Sequence, residues 1–402
     1  MENFINTISL YFDYFPFWVI ALLMALLLTP IVGYIAKKLE IVDVPANMRK
    51  FTDKTKVTRI KKKIVPRAGG LAVIIPFILL VLCCGELDKQ IIAILIGVIV
   101  LTIGGLLDDK YELRQRHQFI AQVLAAIVVV SAGISIDSIQ SPFDTSINLR
   151  NLVLPFTIAG NNYSIALPAD IITIIWILIM INAINWIFGI DGLGEGISFI
   201  AFIAILFVSV KSGNIVSAFL ASIAAGGVLG FLPYNVSPSM ILSGTTGEVV
   251  YGFLIATLSI IGGVKVSTSV IVLIIPIVDM VWVMIGRINR HGLSNVFEVF
   301  KVTTQGDDTH LHHRLLKLGF SVPQVALIEW AAVGVCTILA FASTGLPKVT
   351  FISIIGVVII FMFLGISILI KRGIRLKNKK DELRREKKKT EKGETPESRY
   401  AY

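Results

Sequence analysis

The stretch IIAILIGVIVLTIGGLLDDK, residues 91–110, decides the fold of this chain. An apolar run that ends at Leu107 is followed at once by two carboxylates and a lysine. A helix needs about 20 residues to cross the hydrocarbon core of a membrane, and this run comes close to that length. Its glycines are compatible with a membrane helix, which tolerates them. The stretch therefore predicts a membrane-spanning helix that ends in an acidic pair.

The same alternation of long apolar runs and short polar loops continues along the whole chain. The runs are Tyr14–Ala36, Gly69–Cys84, Ile91–Leu107, Phe119–Ile134, Ile171–Ile184, Ile197–Val210, Val216–Pro233, Val249–Val264, Val270–Ile285, Val325–Ser343 and Thr350–Ile370. Hydropathy and length together predict an all-α, polytopic membrane protein with about 11 transmembrane helices. The polar loops rich in His, Asp, Asn and Arg fall on one side, so we expect an active site on one membrane face.

Composition argues against a soluble domain. The chain is 55% hydrophobic and its mean hydropathy is +0.81, which leaves little polar surface. The three cysteines lie within apolar runs and are expected to be small core residues, not a disulfide framework or a metal set.

The basic residues orient the predicted protein in the membrane. They concentrate in the Lys37–Arg67 loop and in the tail after Ile370, whereas Met1–Asp13 has no Lys or Arg. Lys and Arg mark cytoplasmic loops, so both clusters are predicted to be cytoplasmic. We therefore expect a multi-pass protein of the cell membrane, with a membrane domain over residues 1–370, a basic cytoplasmic tail over 371–402 and a cytoplasmic active face. Membrane lipids are expected partners of the basic clusters. Nucleic acid is not, because no aromatic-interleaved module accompanies the charges.

Two clusters on the cytoplasmic side carry candidate chemistry. Asp108 and Asp109 are adjacent carboxylates at the membrane boundary, and such pairs hold Mg²⁺; a solvated helix end is the alternative. His310, His312, His313 and Arg314 fall within five residues, where neutral imidazoles ligate metal and charged ones hold diphosphate oxygens. No cysteine lies near the histidines, which argues against a structural zinc site.

Two further segments complete the predicted face. Asn182, Asn185 and Asp191 alternate with glycines that permit close backbone approach to a ligand or a tight interhelical turn. Arg67, within the segment Pro66–Gly70, suits a phosphate or a lipid headgroup; a snorkelling arginine at a helix start is the alternative. Together these groups fit phosphoryl transfer between a soluble nucleotide and a lipid phosphate, which needs mostly positioning and charge neutralisation.

These segments resemble the polyprenyl-phosphate N-acetylhexosamine-1-phosphate transferase family, in the family's order and over almost the whole membrane portion. The matching segments are Pro66–Gly70, Asp108–Leu113, Asn182–Asn185, Gly189–Leu193, Gly230–Asn235, Pro276–Asp279 and His310–Leu315. The resemblance implies transfer of N-acetylhexosamine 1-phosphate from a UDP-sugar, first of all UDP-N-acetylglucosamine, to undecaprenyl phosphate with release of UMP. It is closest to the branch that initiates teichoic acids and O-antigens, the first membrane step of cell-wall glycopolymer synthesis. A homodimer is an open alternative for the assembly.

The resemblance also implies residue roles. Asp108, Asp109 and Asp191 would be the catalytic carboxylates and the ligands of Mg²⁺, with Mn²⁺ as an alternative ion. The substrate contacts would come from Arg67, Asn182, Asn185, Asn235, His310, His312, His313 and Arg314.

Two positions depart from the family pattern. Phe188 and Thr245 stand where the family usually has Asp, and neither can replace a carboxylate as a strong Mg²⁺ ligand. Glu248, three residues after Thr245, is a candidate for a displaced carboxylate. Two hypotheses follow: a working transferase with a rearranged metal site, or a catalytically weakened relative that binds lipid phosphate or nucleotide sugar as a regulator or partner. A transporter is disfavoured because the polar groups gather at one interface, not at mid-membrane.

Overall fold

The structure is a computed structural model that describes residues 12–43, 64–140, 146–158, 161–262, 266–291, 309–342 and 353–369. The predicted tail and most of the basic Lys37–Arg67 loop lie outside the described residues. The helices are α1 Phe15–Lys38, α2 Leu71–Cys84, α3 Lys89–Tyr111, α4 Gln115–Ser131, α5 Ala169–Ile187, α6 Leu193–Ser212, α7 Ile215–Asn235, α8 Gly244–Ile261, α9 Val266–Val272, α10 Ile274–His291, α11 Leu311–Lys317, α12 Val322–Ala342 and α13 Ser353–Leu369.

Each predicted apolar run is helical over most of the part that the structure describes, which confirms a helical, polytopic membrane protein. Seven helices of the described chain are long and apolar enough to cross a membrane: α1, α3, α5, α6, α7, α8 and α12. The run Val270–Ile285 is divided at Leu273 into α9 and α10, and α2 and α13 are shorter apolar helices. The total of 11 spans therefore stays a prediction.

Short antiparallel strand pairs occur outside the helices. They are β1 Val42–Asp43 with β2 Val65–Pro66, β3 Ser138–Gln140 with β4 Ser146–Asn148, and β5 Leu152–Ile158 with β6 Asn161–Leu167. The last two pairs lie in the stretch between α4 and α5. Two buried groups of α5 attach this stretch to the helices: Asp170 accepts the amide of Ala166 at 2.7 Å, and the Thr173 hydroxyl accepts the amide of Ile136 at 2.8 Å.

Helices α7 and α8 form the centre of the protein. In the apolar stretch of α7, 78% of the residues are buried, and in that of α8, 83% are buried. The corresponding share in α1 is 28%, so α1 lies at the periphery. Two glycines, Gly226 and Gly230, let α7 touch the backbone of α1, since a Cβ atom there would lie 2.1 Å from the carbonyl oxygen of Trp18 and 2.2 Å from that of Leu22. Small residues four apart allow this close approach between membrane helices. The central position of α8 places its first turn against the ends of other helices, where the polar residues gather.

Candidate functional site

Asp109, in the last turn of α3, is the most heavily bonded polar side chain of the site. Its Oδ1 accepts the Thr245 amide at 2.9 Å, and its Oδ2 accepts the amide and the hydroxyl of Thr246 at 3.1 and 2.6 Å. The guanidinium of Arg67 lies 3.1 Å from Oδ1, and the Asp109 side chain is fully buried. A carboxylate has about four acceptor positions, so these donors occupy Asp109 completely.

Asp108, the neighbouring carboxylate, is occupied on one side only. Its Oδ2 accepts the Thr245 hydroxyl at 2.6 Å. Its Oδ1 has no hydrogen-bond partner within the described chain. The two adjacent acids therefore differ. The acceptor positions of Asp109 are occupied by protein donors, whereas Asp108 has one oxygen that can bind a ligand. We call Arg67, Asp108, Asp109, Thr245 and Thr246 the acidic clamp.

Three chain segments meet tightly to build the acidic clamp. The segment Pro66–Gly70 pairs through its backbone with Leu242 and Ser243, with N–H···O distances of 2.8–2.9 Å. Gly105 lets α3 approach α8, because a Cβ there would lie 2.4 Å from the Thr246 Cα. Gly244 has a φ of +72° and begins α8 directly beside Asp109, where a Cβ would come 2.4 Å from Oδ2. The glycines of the sequence motifs thus serve close backbone contact.

Among the described residues, carboxylates outnumber basic groups around Arg67. Burial alone would lower the pKa of the Arg67 guanidinium, but Asp109, Glu248, Asp43 and Asp108 act together to raise it. Arg67 is therefore firmly charged, and four carboxylates lie within its electrostatic range. Its buried Nε–H has no hydrogen-bond partner in the described part of the protein. The acidic clamp thus combines an excess of carboxylates, which favours a bound cation, with an N–H donor suited to a phosphate oxygen.

The three expected metal ligands do not form one cluster. Among the residues that the structure describes, no group of three or more His, Cys, Asp or Glu side chains is arranged to hold a metal ion. Asp191 is half-buried after α5, and it accepts the amide of Ser239 at 3.1 Å. Mg²⁺ often binds through one or two carboxylates, with waters and substrate phosphates completing its shell. The open oxygen of Asp108 fits a cation of that kind.

A second polar cluster surrounds His310, at the start of α11. The His310 Nδ1 lies 2.8 Å from Oδ2 of Asp279 in α10, and the other oxygen of Asp279 accepts the amide of Leu311 at 2.8 Å. The Trp186 ring meets the imidazole edge to face at 5.6 Å, and the His312 ring stacks parallel to it at 5.5 Å. His310 is thus fixed in place by a carboxylate and two rings.

The remaining members of the His motif have structural contacts. His312 is 1% exposed and neither ring nitrogen has a hydrogen-bond partner in the described chain. Burial lowers the pKa of the His312 imidazole well below its ordinary value, and His313 and His310 lower it further, so the ring is neutral. Arg314 donates to Thr309 O at 2.6 Å and to the Ser367 hydroxyl at 2.9 Å. His313 is half-buried, with its ring 4.4 Å from that of His312.

Two of the asparagines predicted to bind substrate make side-chain hydrogen bonds within the protein. Asn235, 2% exposed, accepts the amide of Gly192 at 2.7 Å and donates to Ile241 O at 2.9 Å. Asn182 donates to Gln122 Oε1 at 2.9 Å and to Leu178 O at 2.8 Å. Asn185 is half-buried in the last turn of α5. Asn235 therefore fixes the loops that follow α5 and α7, whereas Asn182 joins α5 to α4.

At both positions that depart from the family pattern, the neutral side chain makes defined contacts with the rest of the protein. The Phe188 ring packs on the backbone of Gly194, where a Cβ would lie 2.4 Å away, and its centroid is 6.1 Å from that of Tyr251. The Thr245 hydroxyl bonds Asp108, as described above. Each replacement thus has contacts that an aspartate would not reproduce.

Four residues with well-defined contacts were not among the predicted site residues. They are Thr246 and Asp279, described above, Trp186 beside His310, and Trp330, whose Nε1 donates to Leu193 O at 3.1 Å. Asp279 had a usable signal, because a carboxylate inside an apolar run is costly and marks a function or a partner. The other three had none, since a threonine or a tryptophan in an apolar helix is unremarkable.

These observations define a class: a multi-pass helical membrane protein whose buried acids, hydroxyls and imidazoles meet where helices end. Comparison with known proteins narrows that class. Residues 91–263 match the family described as "Glycosyl transferase family 4". A Bacillus subtilis (strain 168) protein, "Probable undecaprenyl-phosphate N-acetylglucosaminyl 1-phosphate transferase", is 32% identical over 86% of this chain and 89% of its own. The chain therefore belongs to glycosyl transferase family 4, a family of glycosyl-1-phosphate transferases.

More distant relatives cover similar lengths. A Mycobacterium leprae (strain TN) "Decaprenyl-phosphate N-acetylglucosaminephosphotransferase" is 27% identical over 76% of this chain and 78% of its own. A "Phospho-N-acetylmuramoyl-pentapeptide-transferase" of Caldanaerobacter subterraneus subsp. tengcongensis is 24% identical over 71% of this chain and 86% of its own. The similarity extends over most of each protein.

Proposed function

We propose that this protein transfers N-acetylglucosamine 1-phosphate from UDP-N-acetylglucosamine to undecaprenyl phosphate and releases UMP, as the first membrane step of cell-wall glycopolymer synthesis. One observation carries the proposal: the acidic clamp holds two adjacent carboxylates at a helix end and leaves one Asp108 oxygen and one Arg67 N–H without protein partners. A diphosphate with its cation needs both kinds of group. The names of the relatives, which specify polyprenyl-phosphate and N-acetylglucosamine substrates, support this choice.

The proposed reaction is a single displacement at phosphorus. An oxygen of the lipid phosphate forms a bond to the β-phosphorus of the UDP-sugar, and the bond from that phosphorus to the bridging oxygen breaks. UMP leaves with the bridging oxygen and its electron pair. Arg67 would orient a phosphate oxygen through its unpartnered Nε–H. Asp108 would hold Mg²⁺, or Mn²⁺ in its place, and the ion would neutralise charge on the diphosphate.

The site is proposed to face the cytoplasm, where UDP-sugars are available. The support is the charge distribution, since Lys and Arg concentrate in the loop and the tail on that side. Single cysteines at Ser141 and Ser398, which lie outside the described residues, test this in a variant free of native cysteines. An impermeant thiol reagent on intact cells is expected to label position 141 only. Labelling of position 398 alone would place the acidic clamp on the outer face.

UMP release tests the reaction directly. Purified protein with undecaprenyl phosphate, UDP-N-acetylglucosamine and Mg²⁺ is expected to release UMP, and omission of the lipid should stop the release. Chelation of divalent cations should also stop it, and Mn²⁺ should restore part of it. The identity of the nucleotide is decisive, because transfer of the sugar without its phosphate would release UDP. Release of UDP, or of UMP without lipid, would contradict the proposal.

A catalytically weakened relative is the second candidate function. It is favoured by the neutral groups at Phe188 and Thr245, because both are integrated into the packing of the site. Such a protein would bind lipid phosphate or nucleotide sugar and act as a regulator or partner. It would bind UDP-N-acetylglucosamine and release no UMP, so a binding measurement beside the UMP assay separates the two candidates.

A further inference from the structure

We infer that Asp279 is a positioning residue that fixes His310 with its Nδ1 protonated and presents the opposite nitrogen, Nε2, to the diphosphate of the donor. The inference rests on the proposed function and assigns a role to a carboxylate that the sequence motifs left without one. Both residues are buried: Asp279 is 3% exposed and His310 is 7% exposed.

Both oxygens of Asp279 take part in hydrogen bonds, and together these bonds determine which ring nitrogen of His310 carries the proton. Oδ1 accepts the backbone amide of Leu311 at 2.8 Å, which holds the first turn of α11 against α10. Oδ2 lies 2.8 Å from the His310 Nδ1. A carboxylate in that position accepts a hydrogen bond, so the proton must be on Nδ1. Nε2 is then either a free acceptor or, in the imidazolium, a second donor.

The surroundings prevent His310 from turning away from this orientation. Trp186 contacts one side of the ring at 5.6 Å, and Arg287 lies over the Trp186 ring at 4.9 Å. The parallel His312 ring covers another side. His310 Nε2 has no hydrogen-bond partner in the described part of the chain. The assembled groups therefore leave Nε2 as the one polar atom of His310 available to a ligand.

The hydrogen-bonding capacity of His310 suits a phosphate ligand. Asp279 holds Nδ1, so a phosphate oxygen can bind at the other ring nitrogen, Nε2. An imidazolium between a carboxylate and a phosphate is stabilised by both anions, and its N–H···O bond to phosphate is charge-assisted. The same logic underlies metal-binding and catalytic histidines, whose second nitrogen is held by a carboxylate. His310 is thus prepared for a phosphate oxygen before the donor arrives.

A double-mutant cycle tests whether Asp279 acts through His310. Asp279→Asn keeps the shape, but its single oxygen cannot accept from both the Leu311 amide and His310 Nδ1, so its NH₂ group meets one of them. His310→Gln removes the imidazole. Each is expected to lower kcat/KM for UMP release by roughly a hundredfold. The double variant should be no slower than the slower single variant, because the two residues work as one unit. Multiplied losses, or full activity of Asp279→Asn, would overturn the inference. Asp137→Asn, at an exposed ion pair, is the matched control.

Histidine-selective nitrogen NMR of the native protein tests the inference without turnover. The protein has five histidines, and the signal absent from His310→Gln identifies His310. The inference requires a protonated Nδ1 on this residue; protonation of Nε2 alone would overturn it. If the native protein releases no UMP, the proposed function fails, whereas the NMR result still decides the state of the Asp279–His310 pair. Asp279→Asn is expected to remove the Nδ1–H signature while the other four histidines keep theirs.

Discussion

Asp109→Asn is expected to destabilise the folded protein by about 3–5 kcal/mol, because it removes one partner of a buried ion pair. The new side-chain NH₂ group would also face at least one N–H donor that cannot accept a hydrogen bond from it: the Thr245 amide and Arg67 on one side, or the Thr246 amide on the other. Thermal unfolding of purified protein in detergent measures the loss. Asp108→Asn should unfold close to the native temperature, because Asp108 makes a single side-chain bond, to Thr245.

The exposed carboxylate of Asp137 provides the matched control. It pairs with Arg150 at 3.3 Å, and both side chains are well exposed to solvent, so Asp137→Asn should change stability by less than about 1 kcal/mol. An Asp109→Asn protein that unfolds at the same temperature as Asp137→Asn would show that the acidic clamp is not the structural junction of α3 and α8.

Restoring aspartate at positions 188 and 245 is expected to make the protein dependent on Mg²⁺ for its stability. Thr245→Asp would replace a donor 2.6 Å from Asp108 with a second carboxylate. Two buried like charges at that distance require a cation or a proton. In metal-free buffer the change should cost at least about 2 kcal/mol, and Mg²⁺ should recover most of it. Unfolding temperature as a function of Mg²⁺ concentration gives the measurement.

The double variant Phe188→Asp, Thr245→Asp also separates the two candidate functions. If the neutral groups have disabled the site, UMP release should rise above the native level only when both are replaced, and in proportion to Mg²⁺. If the native protein is a working transferase, the double variant should not exceed it. Thr245→Asn is the matched control, because it has nearly the size of aspartate without its charge. A Mg²⁺ response of Thr245→Asn equal to that of Thr245→Asp would show that charge is not the cause.

Hydropathy was sufficient to locate the helices. The run around residues 91–110 and the runs like it are helical over most of their described residues. Within a membrane the backbone N–H and C=O groups find no water, and a helix pairs all of them within one segment. The strand pairs between α4 and α5 were missed, since segments of three to seven residues in a mixed polar stretch give a weak local signal.

The difference in hydrogen bonding between Asp108 and Asp109 could not be predicted from the sequence. Asp108 and Asp109 are adjacent and chemically identical, and their difference comes from two threonines about 137 residues away. The Asp279–His310 pair spans 31 residues and depends on how α10 and α11 meet. The sequence suggests a catalytic role for Asp109 but does not show the donors that make its carboxylate part of the structure. Motifs identify which residues gather at a site, and packing decides which of them remain open to a ligand.

Transfer of a radiolabelled β-phosphate from UDP-N-acetylglucosamine into lipid is the most direct measurement of the proposed chemistry. The native protein should move the label into an undecaprenyl product, because the phosphorus that is attacked travels with the sugar. Asp108→Asn should remain folded and transfer the label at least about a hundredfold more slowly, since the negative charge of the open carboxylate is lost. Label that stays in the nucleotide while sugar reaches the lipid, or an Asp108→Asn protein as fast as Asp137→Asn, would contradict phosphosugar transfer at this site.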